Sequence, residues 1–163
     1  MCAAFLLLLL GACGFQPLYG ERGVASASDQ LAAIRIQPIA DRSGQILHNA
    51  LSDELNPLGP PGSPDYVLRV QLEEDTEEVA LRTDETATRV NLTVTAIFAL
   101  HRGDAKDALY KGVSRTTTSY NVLDSPYATL TSQEDARTLA LESIAREIRS
   151  RVAVFLTRQA NTN

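Results

Sequence analysis

The stretch that decides the fold is RVNLTVTAIFAL at residues 89–100. Every even position in it is apolar, from Val90 to Leu100, whereas the odd positions begin with Arg, Asn, Thr and Thr. A period of two over this length predicts a β-strand that lays one face on a core and leaves the other face accessible.

Patterns on both sides of this stretch predict three more strands and two helices. The predicted strands occupy residues 31–39, 66–73, 89–100 and 109–120. The first helix is expected to be capped by Asp41 or Ser43 and to stop at Asn56. The last helix is predicted to begin with a capping box at residues 131–134.

The element order β-α-β-β-β-α predicts an α+β fold. We expect a two-layer sandwich, with a four-stranded mixed sheet and two helices packed on one face. This single domain is predicted to span residues 31–160. The opposite sheet face carries Arg, Asn, Thr and Gln, so it is expected to be hydrated or to face a partner, and the acidic segment 75–85 is expected to form an extended hairpin tip.

Composition places the chain among ordinary globular proteins and excludes one class of partner. Its 163 residues are 44% hydrophobic and 21% charged, which suits one domain with a real core. The net charge of -5 is opposite to the global basic footprint of a nucleic-acid binder, so no nucleic acid is expected as a partner.

A signal peptide is predicted over residues 1–12. The apolar run at 3–10 is shorter than the roughly 20 residues that span a bilayer, and it suits the hydrophobic region of a secretory signal. No Lys or Arg precedes Phe5, so the true start of this signal is expected upstream. The alternative is that the run forms a buried N-terminal strand or helix.

The tetrapeptide Leu10-Gly11-Ala12-Cys13 resembles a bacterial lipobox. The resemblance implies cleavage before Cys13 and attachment of fatty acyl chains, such as palmitate, to its sulfur and its new amino group. Several chains anchor a protein firmly, because each buried CH₂ contributes about 0.8 kcal/mol. Gly14 stands where an aspartate would imply retention in the inner membrane, so the outer membrane is expected. Residues 13–30 are predicted to form the lipidated N-terminus and a tether.

The sequence carries no recognisable catalytic motif, and we expect no enzyme activity, cofactor or metal site. His48 and His101 lack metal-ligand spacing and are interpreted as surface side chains. The acids within residues 73–78 leave a divalent-cation site open, but without EF-hand spacing they favour a solvated hairpin tip.

Basic side chains are the more informative candidates. Thirteen of the fifteen are arginine, which favours paired hydrogen bonds to phosphate or carboxylate groups. Arg89, Lys111 and Arg115 are predicted to share the exposed sheet face, and Arg82 lies in the acidic tip. The alternative is that these side chains only keep the exposed face soluble.

The segment CGFQPLYG, residues 13–20, resembles the mature N-terminus of the lipopolysaccharide-assembly lipoproteins of the LptE family. The resemblance extends through the element order over nearly the whole mature chain. It implies a lipid-anchored protein of the cell outer membrane that plugs the lumen of the β-barrel translocon LptD and helps to assemble it. It also implies assistance in lipopolysaccharide delivery to the cell surface, with the barrel and lipopolysaccharide as partners.

Lipopolysaccharide contact in that family is attributed to basic residues near the turn between strands two and three and before the last helix. Arg82 matches the first position, with Arg89, Lys111 and Arg115 as further candidates. Residues 127–131 contain no basic residue, so the second position is unmatched. Two other hypotheses stay open: a periplasmic anchored lipoprotein that docks an unrelated protein through its sheet face or strand edge, and an enzyme that uses the acidic cluster with a metal.

Overall fold

The computed structural model describes residues 27–79 and 88–161 of the chain. Three helices and four strands lie in these ranges. The helices are α1 Ala27–Ala32, α2 Asp41–Leu55 and α3 Pro126–Ala160. The strands are β1 Ile34–Ile36, β2 Tyr66–Val79, β3 Thr88–Arg102 and β4 Ala108–Val122.

The four strands form one mixed sheet in the order β1-β2-β3-β4. β1 and β2 are parallel neighbours, connected through α2, and the other two pairs are antiparallel. The helices α2 and α3 share one hydrophobic core with the even-numbered side chains of the sheet. The predicted α+β fold with its four-stranded mixed sheet is therefore confirmed.

The core lies between β3 and the apolar stripes of the two long helices. From β3 come Leu92, Phe98 and Leu100, each at most 1% exposed. The fully enclosed side chains of the helices are Leu47, Leu51, Leu55, Leu141, Ile144, Ile148, Val152 and Leu156. Each side chain of this size contributes about 1.5–3 kcal/mol when it is buried, so aliphatic packing supplies most of the stabilisation.

Phe98 packs over a glycine of the neighbouring strand. Its register partner in β4 is Gly112, and a Cβ atom placed there would lie 2.5 Å from Phe98 Cζ. The centroid of the Tyr110 ring lies 5.9 Å from that of Phe98 and 5.0 Å from that of Phe155. The glycine therefore leaves the space that the aromatic ring occupies.

A polar link fastens α3 to β4. The buried Ser114 hydroxyl donates to the carboxylate of Glu147, which also accepts from Arg151 one turn later. Arg151 Nη1 donates a further hydrogen bond of 2.9 Å to the carbonyl of Val113. Because an unpartnered buried hydroxyl costs about 1–3 kcal/mol, this link favours one position of α3 across β4.

The first predicted strand is much shorter than expected. Residues 31–39 include the end of α1 and only the three residues of β1. Leu31 is buried at the end of a helix, so its apolar character belongs to helix packing rather than to strand alternation. At the other end of the sheet β2 continues to Val79, so the first part of the predicted hairpin tip is regular strand.

The predicted helix caps are wrong. α3 begins at Pro126. Proline suits the first position of a helix, because the backbone N–H that it lacks would have no hydrogen-bond acceptor within the helix. Thr131, assigned to the capping box, instead donates to the carbonyl of Tyr127 inside the helix, at 3.1 Å. The residue before α2 is Ala40, which makes no side-chain cap, and Asp41 is already helical.

α3 is the longest described element, with 35 residues. Charged side chains lie along its outer side, among them Glu142 and Arg146, whose carboxylate oxygen and guanidinium nitrogen are 3.9 Å apart. Across the described ranges, no helix is both long and apolar enough to cross a bilayer.

Candidate functional site

The candidate site begins with the sheet face that none of the described helices covers, here called the open face. It consists of the odd-numbered residues of β2, β3 and β4, because successive strand residues point to opposite faces. Thr93 Oγ1 lies 3.0 Å from Thr117 Oγ1, and the Ser119 hydroxyl donates to the side-chain oxygen Oδ1 of Asn91 at 2.7 Å. These cross-strand bonds give the open face an ordered polar surface.

Three of the four predicted basic residues lie on the open face, but they do not form one cluster. Arg89 donates to the side chain of Asn121 at 3.4 Å, and Arg115 donates to Thr95 Oγ1 at 3.2 Å. Lys111 lies on β4 ten residues before Asn121. At about 3.3 Å per strand residue, Lys111 and Arg89 stand roughly 30 Å apart.

The charges of the open face are divided between its two sides. β2 contributes Arg69 at its start and Glu73, Asp75 and Glu77 along the rest of its length, whereas β4 contributes Lys111 and Arg115. The hydroxyl and amide groups of β3 lie between them. A partner that covers this face therefore meets an acidic side and a basic side.

An exposed apolar pair interrupts the polar surface. Ile97 and Val113 are register partners across β3 and β4, and they are 41% and 51% exposed. A partner that covers the open face removes this apolar area from water, which favours binding at that point.

A second exposed feature, here called the tip end, lies where β3 begins and β4 ends. Arg89 stands there, one residue from the pairing of Thr88 with Val122. Four apolar side chains at or just beyond the end of β4 are exposed: Val122, Leu123, Tyr127 at 80% and Leu130. The tip end therefore combines a cation with apolar surface.

The chain around the tip end is tied to α3 by one hydroxyl. The backbone N–H of Leu123 donates to Thr129 Oγ1 at 2.9 Å, which holds the connection between β4 and α3 against the first helical turn. The exposed apolar group was missed from the sequence, where its members are scattered over nine positions. Only the end of β4 and the early start of α3 bring them to the same end of the domain.

Two predicted site residues lie outside the described residues. Arg82 belongs to the segment between β2 and β3, and Cys13 lies before α1. Lipid attachment at Cys13 and lipopolysaccharide contact at Arg82 therefore stay predictions.

The histidines do not form a site. His101 is buried, contrary to the surface position predicted for it, because the turn after β3 folds back and places the Ala105 carbonyl 3.1 Å from its Nδ1. His48 is half-buried on α2. In the part of the chain that the structure describes, no three His, Cys, Asp or Glu residues come together as metal ligands would.

The described domain thus carries an ordered polar sheet face and an exposed apolar group at the tip end. The sequence profile of the LptE family, described as lipopolysaccharide-assembly, matches residues 31–152. The chain belongs to the LptE family, and the family expected from CGFQPLYG is confirmed.

Similar proteins share the length or the fold of this chain. The uncharacterized protein RP188 of Rickettsia prowazekii is 24% identical over 154 residues, which cover 94% of this chain and 95% of that protein. A candidate lipoprotein from Caulobacter crescentus superposes with a TM-score of 0.67 at 24% identity, over 83% of this chain and 98% of the other. A minor lipoprotein from Acinetobacter baumannii has a TM-score of 0.55 at 17% identity, over 74% and 91% of the two chains.

Proposed function

We propose that this protein is an outer-membrane lipoprotein that plugs the lumen of an LptD-like β-barrel, assists assembly of that barrel and helps to deliver lipopolysaccharide to the cell surface. Membership of a lipopolysaccharide-assembly family is the observation that carries the proposal. The anchor is Cys13, acylated after removal of residues 1–12. The role is one of binding and assembly, without catalysis or a cofactor.

The open face supports the plug role. The interior of a membrane barrel is polar and hydrated, so a plug needs a hydrophilic surface together with its own closed core. Here hydroxyls, amides and charges of both signs cover the open face, and the apolar core is closed between the sheet and the helices.

The tip end supports direct contact with lipopolysaccharide, which combines phosphate groups and acyl chains in one molecule. Arg89 offers a guanidinium group for phosphate, and Tyr127 and Leu130 offer exposed apolar surface at the same end of the domain. Arg82, in the segment that joins β2 and β3, adds a second guanidinium. Lys111 and Arg115 extend the proposed contact along the basic side of the open face.

The plug role predicts contact with the barrel from more than one side of the domain. A photo-crosslinking amino acid placed at Thr117, on the open face, and at Ser150, on the outer side of α3, is expected to capture the same LptD-like barrel in membranes. Both positions are exposed, and neither takes part in the core. The measurement is mass spectrometry of the crosslinked partner.

Failure of both positions to capture a barrel would contradict the proposed function. Capture of an unrelated protein from Thr117 alone would instead favour the second candidate, a periplasmic lipoprotein that docks through its exposed sheet face. The exposed pair Ile97 and Val113 is the observation in favour of that candidate.

Charge reversal of Arg82 to Glu is expected to weaken lipopolysaccharide binding by about tenfold or more, because a hydrogen bond to a charged group contributes roughly 1.5–3 kcal/mol. Barrel association should remain intact. The matched control is Arg146→Glu on the helical layer, where an exposed pair contributes only a few tenths of a kcal/mol. Affinity for purified lipopolysaccharide is measured for both variants, with Arg89→Glu and Lys111→Glu alongside to compare the two ends of the open face. Equal affinity of the Arg82 variant and the parent protein would remove Arg82 from the contact.

A further inference from the structure

The strand β2 has an edge that its neighbour covers only in part. β1 pairs with residues 66–68 and then ends before Pro38, whereas β2 continues to Val79 and stays paired with β3 on its other side throughout. From Arg69 onward, no strand within residues 27–79 and 88–161 pairs with this side of β2, which is an edge of the described sheet.

The direction of the backbone groups follows from the bonds that β1 does make. Tyr66 donates its N–H to the carbonyl of Ala33 at 3.3 Å, and the Leu68 carbonyl accepts from Gln37 at 2.9 Å. Because amides alternate along a strand, all even-numbered residues of β2 direct N–H and C=O toward the same side. Five of them lie beyond β1: Val70, Leu72, Glu74, Thr76 and Glu78. Among the described residues, no backbone hydrogen bond reaches these ten groups.

A groove runs beside the first part of this edge. Its walls are Val70, Leu72 and Glu74 on one side and the start of α2, from Ile39 to Gly44, on the other, and its volume is about 570 Å³. It lies in the direction that β1 would take if it continued past Pro38. An additional strand can therefore lie next to β2 beyond the end of β1, on the same side of β2 as β1.

The charge of the edge selects the kind of strand that fits. Glu73, Asp75, Glu77 and Glu78 are exposed, and none of them takes part in an ion pair within the described part of the chain, whereas Glu74 is bound to Arg137 at 3.1 Å. Like charges placed opposite each other destabilise strand pairing. A second copy of this edge is thus repelled, and a cationic segment is attracted.

We propose that the edge of β2 from Val70 to Glu78 binds an extended cationic segment of another protein by antiparallel β-strand addition, the slightly more stable of the two strand pairings. The segment has Lys or Arg at alternate positions, opposite Glu73, Asp75 and Glu77 on the open face. Its other side chains are apolar and lie against Val70 and Leu72 beside the groove. Nine residues, about 30 Å of strand, match the free length of the edge. This binding goes beyond the proposed lipopolysaccharide function and does not depend on it.

The test uses the full chain and synthetic nine-residue peptides of alternating Lys and Val. The expected result is binding by fluorescence anisotropy, with slowed hydrogen exchange at the backbone N–H groups of the even-numbered residues 70–78. Two control peptides separate the contributions: alternating Glu and Val reverses the charge, and a Lys-Val peptide with proline at its central Val keeps the charge but lacks a backbone donor. Both are expected to bind at least about tenfold more weakly.

A pair of protein variants tests the edge itself. Thr76→Pro removes one outward N–H without touching the ladder to β3, and Thr76→Val keeps the backbone as the matched control. The proline variant is expected to lose about tenfold in affinity and the valine variant to bind normally. Absence of binding by the Lys-Val peptide would overturn the proposal. So would equal binding by the proline-containing peptide, since attraction between charges alone would then explain the affinity, and this comparison does not require any protein variant to fold.

Discussion

Replacing Phe98 with Ala is expected to lower the free energy of unfolding by about 3–5 kcal/mol, the cost of deleting a buried aromatic side chain that leaves a cavity. Phe98 is 1% exposed and lies directly over Gly112 in the sheet. The loss is measured by urea denaturation of the purified chain, followed by circular dichroism.

Gly112→Ala is the control that isolates the packing of the ring on the glycine. Alone it is expected to cost about 1–3 kcal/mol, because the new methyl group would lie 2.5 Å from the buried Phe98 ring and force it to shift. In the Phe98→Ala background the same methyl group enters vacated space, so its cost should vanish or change sign. If the losses of unfolding free energy in the two single variants simply add up in the double variant, the packing of the Phe98 ring does not depend on the absence of a Cβ at residue 112.

Replacing Cys13 with Ser is expected to abolish acylation and outer-membrane retention, because the thioether cannot form on a hydroxyl. The parent protein should carry several fatty acyl chains on its N-terminal peptide and fractionate with the outer membrane. The variant should carry none, and it should be released from membranes or accumulate as an unprocessed precursor. Mass spectrometry of the N-terminal peptide and membrane fractionation measure the two effects.

Cys2→Ser is the matched control for the anchor, since this cysteine lies inside the predicted signal peptide. It should leave acylation and fractionation unchanged. Acyl chains found on the Cys13→Ser variant, or a parent protein that retains residues 1–12 in its folded form, would contradict the predicted anchor.

The sheet was predictable from the sequence where burial is one-sided. In β3 the inner side chains, such as Leu92 and Leu100, are fully buried, while outer ones such as Thr93 and Ile97 remain accessible, so the alternation is visible in the sequence itself. The end of α2 was predictable for a similar local reason, because Asn56-Pro57 cannot continue a helix. The family resemblance came from eight residues that lie before this domain.

The features that the sequence did not predict depend on tertiary packing. Leu31 fits a strand or a helix equally well, so the short β1, and the long edge of β2 that no described strand covers, followed only from the structure. The burial of His101 depends on a turn that folds back over it. The separation of Arg89 from Lys111 depends on strand register, since residues on one face can stand far apart along it.

The length of α3 has a consequence for how a plug would sit in a membrane. Thirty-five residues at about 1.5 Å per residue make a rod of roughly 52 Å, whereas a bilayer with its headgroups measures only about 40–45 Å. If the protein stands upright as a plug in a membrane-spanning barrel, this helix would extend beyond the headgroups on both sides of the bilayer. One end of the helix would then lie on the periplasmic side of the membrane and the other end on the outer side.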